Sequence, residues 1–263
     1  MSEWKWMACG KHPFASDFLQ IGQETALGCS LCQWMQSGYE KVLAKQGSSV
    51  NVHSWRFWAR GGARKELILG LVRDSSDSRG RRFPFLVFGS GDLKDWINAW
   101  QYLPLTCDTV WLTMEQLTVA RLSKVTELEQ QLKAIRPPRG SVLEKDRQKN
   151  DAQNIQQPSQ AIGRIEPILL NQKVNSDSML AFRIAADADE GHAMLPIVNA
   201  HHQLQTDWKT GVPQIVFMGG TSVSMLVLCF FRSLTASDFM WMWSIDNQEN
   251  RQDGCAQSGP EAY

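Results

Sequence analysis

Ser54-Trp-Arg-Phe-Trp-Ala-Arg-Gly-Gly62, then Glu66-Leu-Ile-Leu-Gly-Leu-Val-Arg73, then Asp77-Ser-Arg-Gly-Arg-Arg-Phe-Pro-Phe85 is the stretch that decides the fold of this chain. Its apolar runs are rich in β-branched, aromatic and aliphatic residues, which suit a pleated surface. Gly61-Gly62 and Ser78-Arg79-Gly80 punctuate them, and glycine supplies the positive φ of tight turns. The pattern predicts three consecutive strands at Trp55–Ala59, Glu66–Arg73 and Phe83–Phe88.

Upstream, Trp4–Ala8 is a predicted strand, followed by the loop Lys11–Phe18 and a helix over Thr25–Lys45, on which Leu27, Leu31, Trp34 and Val42 share a face. Downstream, Asp92–Tyr102 is a predicted helix with Asp92 as N-cap, and Met114–Ile135 a second, long one that Pro137-Pro138 stops. The order β-α-β-β-β-α-α implies an α+β fold, an antiparallel sheet with helices packed on it. Residues 1–136 are thus expected to form an N-terminal α+β domain. The polar segment 137–163 reads as a linker or long loop. Residues 164–246 hold further strands (Leu180–Ala185, Gln214–Met218, Met225–Phe231) and a helix capped by Ser237 or Asp238; these extend the first sheet or form a second lobe. Residues 247–263 read as a disordered tail. The segment Asp187–Trp208 is ambiguous because Pro196 interrupts its helical pattern. The tetrapeptide Ala15-Ser-Asp-Phe18 recurs as Ala236-Ser-Asp-Phe239, and both copies read as N-cap sequences.

With 27 basic and 27 acidic residues the net charge is zero, so no global field draws the chain to nucleic acid or an anionic membrane. Met1–Gly10 contains Glu3 and Lys5 and no apolar core of a signal peptide, and the most apolar segment, Met225–Phe231, is one strand long. These features predict a cytoplasmic protein without membrane insertion, in which the six cysteines are thiols. The eleven tryptophans are expected mostly in the core, with a minority at a partner surface.

Catalytic motifs are sparse. Phe88-Gly89-Ser-Gly91 is half of a dinucleotide fingerprint, but Lys94 stands at the third glycine position, so a strand-to-helix turn is the better reading. Gly10-Lys11 lacks the upstream glycine of a phosphate loop. Cys29-x-x-Cys32 could serve as a redox pair or half a zinc site, yet it lies inside the amphipathic helix with no second pair. His201-His202 are adjacent and would diverge on a helix. We therefore expect no catalytic residue, metal or cofactor and no enzymatic activity; a thiol or metal hydrolase using Cys32 or His201 is the competing reading. The strongest local signal is charge: the 56–82 region is basic. Guanidinium forks suit carboxylate and phosphate, so Trp55, Arg56, Arg79, Arg81 and Arg82 are candidate contacts for an acidic or phosphorylated protein partner. The plainer reading is that these arginines solvate the sheet ends.

Cys9-Gly10-Lys11-His12-Pro13 with Ser16-Asp17-Phe18, then Trp34, Trp55-Arg56-Phe57 and Arg79-Gly80-Arg81-Arg82-Phe83-Pro84, resemble the N-terminal region of the TagF family, also called ImpM, accessory proteins of bacterial type VI secretion. Pro213 to Met218, Gly219-Gly220-Thr221 and Asp238-Phe239 resemble its C-terminal elements. Ser16 departs from the family's glycine. The resemblance implies structural roles for Gly10, Lys11, Pro13, Asp17, Phe18, Gly80, Phe83, Pro84, Gly219 and Gly220. It also implies a post-translational regulator, commonly a repressor, acting with the system's forkhead-associated protein; a structural piece of the secretion assembly is the alternative.

Overall fold

The computed structural model describes residues 3–46, 52–156, 165–167, 179–184, 211–222 and 224–244. In chain order the elements are β1 (Lys5–Gly10), β2 (Leu19–Gly22), α1 (Ala26–Gln46), β3 (Ser54–Arg60), β4 (Glu66–Arg73) and β5 (Phe85–Asp92), then a 3-10 segment (Trp96–Tyr102), α2 (Leu103–Thr106), α3 (Asp108–Thr118), α4 (Val125–Lys133) and α5 (Gly140–Gln156). The chain continues with β6 (Ile165–Pro167), β7 (Met179–Ile184), β8 (Ile215–Gly220), β9 (Met225–Phe230) and α6 (Ala236–Met242). All nine strands form one sheet in the order β2-β1-β5-β4-β3-β8-β9-β7-β6, every pairing antiparallel. The α+β expectation holds, and the C-terminal strands extend the first sheet through the pairing of β8 with β3.

Side chains alternate between two apolar layers. Met7, Cys9, Trp55, Phe57 and Phe217 face α1 and α6, while Trp6, Ala8, Trp58, Leu69 and Val87 face the 3-10 segment and α2 to α5. Because helices cover both faces, the central strands read as continuous apolar runs. Helix α1 presents Gly28, Cys32, Met35, Tyr39 and Val42, steps of three and four, to the sheet. The Gly28 amide donates to the Thr25 hydroxyl at 3.0 Å, which starts the helix.

Several expectations change. Phe88-Gly89-Ser-Gly91 lies within β5 and forms no strand-to-helix turn, and its glycines leave room for the indoles of Trp6 on β1 and of Trp4 just before it. A Cβ on Gly89 would sit 2.1 Å from the Trp6 ring, and one on Gly91 would sit 2.5 Å from Trp4. Asp92 ends the strand, and the 3-10 segment begins after Asp95, at φ 59. The single long helix over Met114–Ile135 is two helices: α3 ends at Thr118, and α4 begins after Lys124, where Glu127 accepts from the Ser123 amide at 2.9 Å. The polar 137–163 segment carries α5, which buries Leu143 and accepts a bond from Thr106 on Asp146 at 2.8 Å. One apolar anchor on an otherwise polar helix escapes a composition argument. Ala236-Ser-Asp-Phe239 does open a helix, but Thr235 is the N-cap; Asp238 accepts from its amide and hydroxyl at 2.7 and 2.9 Å. Ala15-Ser-Asp-Phe18 leads into β2 instead. Cys9 and Cys32 form a disulfide, against the expectation of thiols throughout. Asp187–Trp208, His201-His202 and the 247–263 tail lie outside the described residues.

Candidate partner-binding site

The motif segments, scattered along the chain, converge through sheet register. Leu19, Gly10, Phe85, Arg73, Ser54, Gly220, Met225 and Ile184 are successive cross-strand partners, one row at one end of the sheet. The loops Lys11–Phe18 and Asp74–Pro84 and the Gly219-Gly220-Thr221 turn all leave from this row. Gly10 has φ +123, and a Cβ there would lie 2.1 Å from the Pro84 carbonyl, so only glycine lets the first loop lie against the second.

Asp77 is the hub of that contact. Its side chain is fully buried, and its carboxylate accepts from the Arg79 and Arg81 amides at 3.0 and 2.9 Å, from Arg81 Nε at 2.7 Å and from Lys11 Nζ at 3.1 Å. Burial opposes ionisation, but these bonds and charges outweigh it and hold the carboxyl well below its usual range. The Gly80 amide donates to the Asp77 carbonyl at 2.9 Å, and Gly80 takes φ +76 with open space around it, so glycine is needed there for the backbone alone. Arg81 Nη2 donates to the Ser16 carbonyl at 2.7 Å and lies 3.7 Å from Asp17, which binds the two loops together. The Ser78 amide reinforces this by donating to the Ala15 carbonyl at 2.8 Å. Ser16 does not adopt positive φ, so the missing family glycine leaves no strain there.

Beneath the loops, Phe18 meets Phe83 edge-on at 5.6 Å, and Phe83 meets Tyr39 of α1 at 5.1 Å. Burial, then the Asp74 charge, raise the Tyr39 hydroxyl, with Arg82 opposing. His12 is fully buried between Phe14 and Phe85, and its Nε2–H donates to the Leu117 carbonyl at 3.0 Å. Burial lowers its pKa, partly offset by that bond. At the base of β3, Asp74 accepts from the His53 amide and Nδ1 at 2.8 and 3.0 Å and from Trp243 Nε1 at 2.7 Å, tying α6 to the same end of the sheet.

Of the five expected contact residues, Trp55 and Arg56 are corrected. They lie on β3, between β4 and β8, where both faces are covered. Trp55 is fully buried under α1 and α6. Arg56 points to the other face, bonding Glu115 at 2.7 and 3.1 Å and Asp108 at 2.8 Å on α3. Arg79 and Arg82 are exposed at the loop tip, and Arg81 is half-exposed but engaged with Asp77. Lys11, Asp17, Phe18, Gly80, Phe83 and the buried Pro84 all belong to the loop cluster, with exposed Pro13 beside them. Gly219 and Gly220 abut Ser54 and Ser224 further along the row. Asp77 was legible only as a charge; its place ahead of Ser-Arg-Gly is the signature of a side chain that closes its own turn. His12, Tyr39 and the Asp74 group carry no such local signal. Among the described residues, no three His, Cys, Asp or Glu side chains are placed to hold a metal, and no helix is long and apolar enough to cross a membrane.

This is a three-layer domain built on an antiparallel sheet, with braced loops and exposed arginines at one end. Residues 8–136 match the TagF N-terminal domain, described as type VI secretion system-associated, and this part of the chain belongs to that family. A crystal structure of PA0076 from Pseudomonas aeruginosa PAO1 is similar in fold, with a TM-score of 0.51 at 17% identity over 90% of this chain and 93% of that one. No curated protein matches the chain.

Proposed function

We propose that this type VI secretion-associated protein is a non-enzymatic, cytoplasmic regulator that works by binding a protein partner through the Asp77–Phe83 loop and the adjoining Lys11–Phe18 loop. The observation that carries the reading is the division of labour among the cations. Lys11 and Arg81 are spent on the buried Asp77, so the loop is held in one shape while the Arg79 side chain is exposed. A surface ordered before binding loses less entropy on association, and arginine forks favour an acidic or phosphorylated surface. The partner this reading assigns is the forkhead-associated protein of the secretion system. Selective binding to one of its forms would hold that form and repress assembly, a population shift.

The test is recovery of partners from the source bacterium with wild-type protein and with an Arg79→Glu variant. The reading expects the forkhead-associated protein with the wild type, its loss with the variant, and raised secretion in cells carrying the variant. Recovery of no secretion component by the wild type would overturn it.

A further inference from the structure

The sequence pairs Cys29 with Cys32 by spacing, yet the bond runs from Cys32 to Cys9. Cys9 and Cys32 are 0% and 4% exposed, out of reach of a dissolved thiol or disulfide, whereas Cys29 is an exposed free thiol. It lies three residues before Cys32 on α1, so the two side chains are neighbours on the helix surface, at a spacing a disulfide can close. The remaining described thiols, Cys107 and Cys229, are buried, and burial pushes both far up in pKa, so they do not compete.

We propose that Cys29 is the entry site of a thiol–disulfide relay whose co-substrate is a small disulfide of the glutathione class, and that the Cys9–Cys32 bond is its product. The Cys29 thiolate attacks one sulfur of glutathione disulfide, forming a mixed disulfide and releasing one glutathione thiolate. The Cys32 thiolate then attacks Cys29 Sγ; the second glutathione thiolate leaves, and a Cys29–Cys32 bond remains. Last, the Cys9 thiolate attacks Cys32 Sγ and expels the Cys29 thiolate, which is protonated at the surface. Two protein thiols are oxidised and one glutathione disulfide is reduced to two thiols. The last step has a direction: the group that leaves is exposed and solvated, while the bond that forms is buried. Under reducing conditions the same steps run backward, so the bond follows the surrounding redox poise. Cys9 directly precedes Gly10, so closure fastens the base of the Lys11 loop to α1.

The experiment reduces the full chain with dithiothreitol in urea, so that the buried bond opens in every variant, removes both, returns the protein to native buffer, adds glutathione disulfide, and maps bonds by mass spectrometry of acid-quenched, alkylated samples. The wild type should pass through glutathionylated Cys29 and end with Cys9 joined to Cys32 and Cys29 free. Cys29→Ser, at an exposed position, should slow closure at least tenfold, and Cys9→Ser should accumulate the Cys29–Cys32 bond. Closure of Cys29→Ser at the wild-type rate would overturn the proposal. So would failure of Cys9→Ser to form Cys29–Cys32, or a wild-type end state in which Cys9 is free or joined to Cys255.

Discussion

Replacing Arg56 with methionine keeps the aliphatic stem and deletes three charge-assisted hydrogen bonds, those to Glu115 at 2.7 and 3.1 Å and to Asp108 at 2.8 Å. Each bond of this kind contributes about 1.5–3 kcal/mol, and its removal costs most where the partner left behind is buried. The stranded groups here are not buried: Asp108 and Glu115 keep 37% and 29% of their side chains exposed, so water resolvates them once the guanidinium has gone. The expected loss is therefore about 2 kcal/mol in total, well short of three full bonds. For a chain of this size that corresponds to a melting-temperature drop of about 4–8 °C, read by calorimetry. On a Glu115→Gln background the same replacement should cost about 1 kcal/mol less, because the two residues act through one contact. Arg79→Met, at an exposed position, should stay within about 0.5 kcal/mol of wild type. An Arg56→Met protein that melts with the wild type but fails to capture partner would refute the reasoning, since Arg56 would then be a contact residue and not a strut.

Asp77→Asn should flatten the acid limb of the stability profile. The folded carboxyl sits below its unfolded value, so its contribution is complete above about pH 4 and fades as pH falls; melting temperatures of wild type and variant should converge in acid. Gly89→Val drives a side chain into the Trp6 ring and should destabilise by about 1–3 kcal/mol or more in urea unfolding. Phe239→Ala removes a buried ring stacked on Trp243 at 3.9 Å and set edge-on to Trp34 at 5.1 Å, an expected loss of about 3–5 kcal/mol by the same assay.

The strand triplet and α1 were legible because their signals are local: apolar runs between glycine turns, and a three-and-four spacing. The division of Met114–Ile135 was not, since Leu117 and Leu128 are buried on both sides of the break and the apolar rhythm runs through it. The expectation that Trp55 and Arg56 face a partner failed for a topological reason. A strand read as part of a local hairpin set becomes central once β8, more than 150 residues later, pairs with it, and no nearby residue signals that pairing. The basic loop was visible as composition, but which of its cations Asp77 holds was not. Arg81 and Lys11 look like Arg79 in sequence and differ only in whether Asp77 holds them. For that reason a charge reversal at Arg81 would mix loop collapse with loss of contact, and the informative position is Arg79.

The most direct test is a calorimetric titration of the purified protein with the forkhead-associated protein of its secretion system, comparing wild type with Arg79→Glu. The account predicts measurable wild-type binding that weakens with salt, and at least a tenfold loss in the variant with its melting temperature unchanged. Equal affinity of the two proteins would contradict it.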